Sequence, residues 1–219
     1  MKDVIVSASI LGVNALNLDT ELAKIREAGI GWVHFDVMDG QFVKNISFED
    51  DLLAIACSKV DLIKDIHIMI NDPLNHVEEY AKCGADYLTF HLEACKDEEE
   101  VNKVIKQIHA LKMKAGLSIR PNTPVESVFP FLKNLDLVLI MSVEPGYGGQ
   151  RFIDKSLDKI ALLKEEIDLL NVPVLISVDG GINDRTAPNC IEKGANILVV
   201  GQYLFGKEDY QERYQKIVK

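Results

Sequence analysis

The feature that most constrains the fold of this chain is an alternation. Short runs rich in β-branched and large apolar residues are each followed by a stretch of helical apolar period, and the pair recurs eight times. Strands read at 4–10, 32–37, 62–69, 87–92, 114–119, 137–143, 173–179 and 197–201, with helices near 19–28, 48–57, 73–83, 97–112, 124–132, 155–169, 184–193 and 208–218. Strands separated by helical crossovers pair in parallel. Eight units in 219 residues leave about 27 residues each, which fits a (β/α)8 TIM barrel built as one domain over 1–219 with little room for insertions.

Local chemistry supports this phasing. Thr123-Pro124-Val125-Glu126 has the composition of a capping box opening the fifth helix: a hydroxyl, proline at the first helical position and glutamate at the third. Gly29, Gly84 and Gly194 each follow a helix in a similar phrase, where a left-handed C-cap is expected before the next strand.

Composition narrows the class of partner. The 24 basic and 34 acidic side chains give a net charge of −10, which disfavours nucleic acid and anionic membrane; an anionic ligand would have to be drawn by local backbone amides. The opening Met1-Lys2-Asp3-Val4-Ile5-Val6 has too short an apolar run for a signal peptide, and no eighteen apolar residues run together, so a cytoplasmic location is expected. Cys57, Cys83, Cys95 and Cys190 are scattered and read as free thiols filling the core.

In such barrels chemistry gathers at the carboxyl ends of the strands. Side-chain alternation puts His34, Asp36 and Met38 on one face at the end of the second strand, and His67 and Met69 on one face at the end of the third. The seventh adds Asp179. Two imidazoles and two carboxylates converging at one rim suit a divalent ion of the zinc, manganese, iron or cobalt kind. Met38 and Met69 read either as core or as an apolar cap over that site. The last three strands run into glycines: Pro145-Gly146-Tyr147-Gly148-Gly149-Gln150, Gly180-Gly181 and Gly201. Amides in such loops bind phosphate, so a phosphorylated ligand is expected. His91, ending the fourth strand before Glu93, reads as a supporting or core histidine, and His76 and His109 as surface residues on helices.

These phrases together resemble the ribulose-phosphate 3-epimerase family. The match lies in Ser9-Ile10-Leu11, in His34 through Gly40 with Phe42-Val43 and Asn45, in His67-Ile68-Met69, in Met141 through Gln150, and in Val178-Asp179-Gly180-Gly181. The resemblance implies that His34, Asp36, His67 and Asp179 hold one divalent metal ion per chain, and that Asp36 and Asp179 are the acid and base. It also implies that Ser9 and His67 contact substrate, that Met38, Met69 and Met141 pack around the reacting carbons, and that Gly146, Gly148, Gly149, Gly180, Gly181 and Gly201 cradle phosphate; Tyr147 reads either as lining that loop or as packing its base, and Gln202 follows the last of these glycines as a candidate replacement contact. It further implies a homo-oligomer acting in the pentose phosphate pathway. Three phrases depart from the family: Lys44 stands where proline is usual, Gln202 where a small hydroxyl residue is common, and Leu11-Gly12-Val13-Asn14 where Leu-Ser-Ala-Asp is usual.

The implied reaction inverts carbon 3 of a 2-ketose phosphate, most simply D-ribulose 5-phosphate to D-xylulose 5-phosphate, through an enediolate that a metal would stabilise. Related readings are epimerisation of allulose 6-phosphate and a non-catalytic sugar-phosphate-binding barrel. A decarboxylase or aldolase-like synthase on the same barrel would need Asp-x-Lys-x-x-Asp, but Asp36-Val37-Met38-Asp39 places methionine at the lysine position.

Overall fold

The computed structural model describes residues 4–47 and 50–219. Eight parallel strands close into a barrel in sequence order: β1 (Ile5–Ser9), β2 (Trp32–Met38), β3 (Ile63–Met69), β4 (Tyr87–His91), β5 (Lys114–Ile119), β6 (Leu137–Met141), β7 (Leu175–Asp179) and β8 (Ile197–Val200). The helices around it are α1 (Leu18–Glu27), α2 (Asp50–Ser58), α3 (Val77–Lys82), α4 (Glu98–Ala110), α5 (Ser156–Leu170), α6 (Ala187–Lys193) and α7 (Tyr210–Val218). Met1 to Asp3 and the first two positions expected of the second helix, 48 and 49, lie outside the described residues.

Each strand divides its side chains between two layers, because successive residues point to opposite faces. Outward-facing residues such as Val33, Phe35 and Val37 of β2, or Leu88 and Phe90 of β4, are buried against the helices, where Leu22, Ile25, Val104, Ile108, Ile160 and Leu163 meet them. The inward face is divided. On the β6–β8 side Leu137, Leu139, Met141 and Ile197 pack together, while Ser177 and Asp179 of β7 alternate with Leu175 on the same face. On the β1–β4 side it carries Ser7, Ser9, His34, Asp36, Asp65, His67, Thr89 and His91, all buried. A barrel this polar inside must satisfy its own hydrogen bonds, and most of these groups do so with one another.

The helix ends show where local signals hold and where they yield. Gly194 ends α6 in the left-handed region at φ 111°, with Gly29 and Gly84 in the same role. The charged run Lys96 to Glu100 is the N-terminus of α4: the Asp97 carboxylate accepts from the Glu100 amide at 2.9 Å, and the Glu100 carboxylate accepts from the Lys96 amide at 2.7 Å. Acidic groups there also complement the helix dipole. The expected capping box at Thr123 does not form. The segment Val125–Asn134 winds as a 3-10 helix with Pro130 inside it and no side-chain cap, and the Thr123 hydroxyl instead donates to the Glu93 carboxylate. His76 lies between a 3-10 turn and α3 rather than within a helix, and pairs with Glu79; His109 pairs with Asp136.

Gly116 illustrates how tightly the barrel interior is filled. It lies opposite Thr89, and a Cβ there would stand 2.2 Å from the Thr89 hydroxyl oxygen and 3.2 Å from Leu137. Gly116→Ala is therefore expected to destabilise the fold by about 1–3 kcal/mol through overpacking, read as a lower midpoint in denaturant. An unchanged midpoint would mean that Thr89 can move aside.

Candidate active site

Asp36 is the hub of the polar wall. Its Oδ1 lies 3.2 Å from His34 Nε2 and 3.0 Å from His67 Nδ1, while Oδ2 accepts from the Ser9 hydroxyl at 3.0 Å. The strand register explains the cluster: His34 sits opposite Asp65, and Asp36 opposite His67. The outer nitrogen of each ring is also engaged. His34 Nδ1 lies 2.7 Å from Asp65 Oδ2, which accepts from the Ser7 hydroxyl as well. His67 Nε2 lies 2.9 Å from His91 Nε2, and His91 Nδ1 lies 3.1 Å from Glu93 Oε2. Asp179 arrives from the end of β7, three places round the ring from β2. His34, Asp36, His67 and Asp179 each present one ligand atom, and these atoms all lie within 4.8 Å of one another.

Burial and neighbouring charge drive the two aspartates apart. Burial would raise the pKa of Asp36, but the His34 imidazole beside it prevails and holds it below the usual carboxylate range. Burial, aided by the Asp36 charge, pushes Asp179 up to about 7. Burial opposes charge on His34, yet Asp65 and Asp36 outweigh it and raise the pKa well above the ordinary value. Burial lowers His67, and it brings His91 down to about 4.

The donor set suits a cation. With Nδ1 of His34 donated to Asp65, a neutral ring turns the lone pair of Nε2 toward Asp36 Oδ1, so two acceptors face each other at 3.2 Å. Positive charge there relieves that conflict, and His34, Asp36, His67 and Asp179 are the residues that would hold a divalent ion. The Asp65 and His91 contacts are the outer hydrogen bonds that typically orient ligating histidines.

Above the cluster opens a cleft of about 1530 Å³, lined by Ser9, Asp36, Met38, Met69, Met141 and Asp179 among others. His34 and His67 lie behind this surface, 1% and 0% exposed. Met38 and Met69 pack with Val43, Leu11 and Phe42 into an apolar cap, while Met141 packs with Leu139 and Val143 across the cleft.

The glycines line the far wall. Gly146, Gly149, Gly180 and Gly181 all have positive φ, and at Gly180, φ 123°, a Cβ would stand 2.5 Å from Val143. Ser142 steadies this turn, its hydroxyl lying 2.8 Å from the Asp179 carbonyl and 2.7 Å from that of Gly180. Asn45 donates to the Gly146 carbonyl at 2.8 Å, tying the loop after β2 to the loop after β6. Gly201 brings backbone close to Ser9, and Gln202 reaches back over Gly149. Tyr147 is 58% exposed at the mouth, and its carbonyl accepts from Gln150. The stretch after β8 is turn rather than helix, since α7 begins only at Tyr210. Arg151, Arg185 and Lys207 also line the cleft, together with acidic side chains such as Glu21, Glu144 and Asp154.

The strand-end pattern brings together the four candidate ligands but assigns no part to Asp65 or Ser7, which join the same hydrogen-bonded cluster. Asp65 carried a readable signal: it stands two residues before His67, on the same inward face.

A closed parallel barrel in which two imidazoles and two carboxylates converge beneath a glycine-lined cleft has the make-up of an enzyme acting on a small molecule. The family model described as "Ribulose-phosphate 3 epimerase family" matches residues 5–205. The chain is 40% identical over 215 residues to "Ribulose-5-phosphate-3-epimerase, chloroplastic" of Arabidopsis thaliana, covering 98% of this chain and 76% of that protein. It is 39% identical over 213 residues to "Ribulose-phosphate 3-epimerase" of Bacillus subtilis, covering 97% of both. The chain belongs to the ribulose-phosphate 3-epimerase family. Among solved structures, KGPDC from Streptococcus mutans superposes with a TM-score of 0.70 at 13% identity, covering 99% of this chain and 96% of that one, which shows a shared barrel fold.

Proposed function

We propose that this chain interconverts D-ribulose 5-phosphate and D-xylulose 5-phosphate, with Asp36 and Asp179 moving the carbon-3 proton. The observation that carries this reading is the convergence of two carboxylates, Asp36 and Asp179, on one cleft, where in the metal-free protein the neighbouring His34 lowers the first and burial raises the second. Environments that separate two like groups mark an acid and a base.

In this scheme the ionised carboxylate removes the proton from carbon 3, and the electron pair moves into the bond to carbon 2 and onto its oxygen. The protonated carboxyl of the other aspartate then delivers a proton to the opposite face as the enediolate collapses. The two roles exchange in the reverse direction. His34, Asp36, His67 and Asp179 would hold a divalent ion, which when bound would supply Lewis acidity toward the negative charge developing on the substrate oxygens. Ser9, by donating to Asp36 Oδ2, fixes the plane of the carboxylate. The methionines bound an apolar space around the reacting carbons, which strengthens the electrostatics there. Gly148, Gly149, Gly180 and Gly181 present the loop backbone to the phosphate, with Gln202 beside Gly149 standing in for a small hydroxyl.

The substrate assignment is tested by comparing kcat/KM for ribulose 5-phosphate and allulose 6-phosphate. The five-carbon substrate should win; preference for the six-carbon one would reassign the enzyme within its family.

The phosphate assignment has its own test. A Cβ on Gly148 meets nothing within 4 Å and its φ is not positive, whereas one on Gly180 collides with Val143. Gly148→Val therefore leaves the loop unstrained while crowding the ligand. Loss of a charge-assisted hydrogen bond predicts a KM raised about 10- to 100-fold with kcat changed less. Unchanged KM, with unchanged inhibition by inorganic phosphate, would remove Gly148 from the phosphate wall.

A further inference from the structure

The cluster contains a histidine that touches neither the cleft nor the candidate ion. His91 is 0% exposed, packs its ring tilted at 42° against Phe42 with centroids 4.8 Å apart, and lies between His67 and Glu93. We infer that Glu93 and His91 form a positioning pair that fixes which nitrogen of His67 carries its proton, and so holds His67 Nδ1 as the metal-facing lone pair.

The inference follows from counting donors. Glu93 Oε1 lies 2.7 Å from the Arg120 backbone nitrogen, a group that can only donate, and the Thr123 hydroxyl donates to the same oxygen. An ionised carboxylate can only accept, so Glu93 Oε2 must receive the Nδ1 proton of His91 at 3.1 Å. A neutral imidazole has one N–H, which leaves the Nε2 of His91 as a lone pair. That lone pair lies 2.9 Å from His67 Nε2, so His67 must place its proton there. His67 Nδ1 is then bare, 3.0 Å from Asp36 Oδ1, a carboxylate of the converging ligand set.

The loop that anchors this chain of bonds is itself fixed from a distance. Lys159 on α5 donates to the carbonyls of Arg120 (3.1 Å), Pro121 (2.7 Å) and Thr123 (2.5 Å). The Arg120 guanidinium lies over the Phe42 ring at 4.2 Å and donates to the Phe42 carbonyl. The Arg120 amide is thereby held where only an acceptor can face it. One end of the relay is set by backbone that has no alternative protonation, and the direction propagates inward to His67.

The test uses two variants of opposite character. Glu93→Gln keeps the shape, but the amide must turn its oxygen to the Arg120 N–H and its NH₂ group to His91, which reverses every proton in the chain and puts the His67 proton on Nδ1. Glu93→Asp loses a methylene but can still only accept, so it keeps the direction. Nitrogen-15 NMR of the ring should show wild-type His67 protonated at Nε2, the same in Glu93→Asp, and Nδ1 protonation in Glu93→Gln.

Because the consequence for metal rests on the reading above, Co²⁺ binding to the metal-free protein is measured alongside. Affinity should fall about 10- to 100-fold in Glu93→Gln, the usual effect of losing an outer hydrogen-bond partner, and less in Glu93→Asp. A role in packing alone predicts the reverse order. Wild-type His67 protonated at Nδ1, or a Glu93→Gln protein with unchanged tautomer and Co²⁺ affinity, would overturn the inference. Failure of wild type to bind Co²⁺ at all, with the tautomer as predicted, would instead overturn the metal reading. Should Glu93→Gln not fold, the wild-type tautomer still decides the point.

Discussion

Asp179→Asn should lose epimerase activity by about 10²–10⁴-fold, the contribution expected of one positioned acid–base group. Asparagine matches aspartate in shape but can neither take nor give the carbon-3 proton. Asp179 is the cleaner of the two aspartates to test: its shift to about 7 comes from burial and neighbouring charges, with no hydrogen bond to its carboxylate among the described residues. Asp36→Asn should be as inactive, but it also disturbs Ser9, His34 and His67, which all contact that carboxylate. Both are candidate ligands, so metal content has to be measured beside activity. A metal-loaded Asp179→Asn protein working near the wild-type rate would eliminate the two-carboxylate scheme.

Metal removal should have an effect at least as large. Thorough chelation is expected to abolish turnover, and one equivalent of a divalent ion per chain to restore it. His67→Ala should reproduce the loss by removing a ligand, with an affinity penalty larger than the roughly 10–100-fold typical of an outer partner. The barrel itself should survive, because His67 is buried beside polar neighbours rather than in the apolar layer under the helices. Full activity in a preparation free of metal would leave the His34, Asp36, His67 and Asp179 cluster as a hydrogen-bonded core feature only.

Much of this arrangement was legible in the sequence because barrel strands obey a period of two. That period placed His34 with Asp36, and His67 with Met69, before any coordinates, and the structure brings all four candidate ligands within 4.8 Å. The eight-fold alternation likewise translated into the closed sheet, with strand bounds shifted by at most two residues. What failed was local inference where a tertiary partner competes. Thr123 has the residues of a helix cap around it, yet its hydroxyl donates to Glu93, 30 positions away. Asp65 illustrates a different gap. An acidic residue near the middle of a strand reads as a misfit until the register shows it opposite His34, where it fixes a ring nitrogen.

The most direct test of the account is the fate of the carbon-3 hydrogen during turnover in deuterated water. Two carboxylates working on opposite faces take the original proton to one group and deliver a solvent-equilibrated one from the other. The account predicts xylulose 5-phosphate carrying deuterium at carbon 3 from the first turnover of ribulose 5-phosphate, and the same label in the reverse direction. Product that retains the substrate's own hydrogen at carbon 3 would contradict it, because that hydrogen would have passed from face to face on a single group.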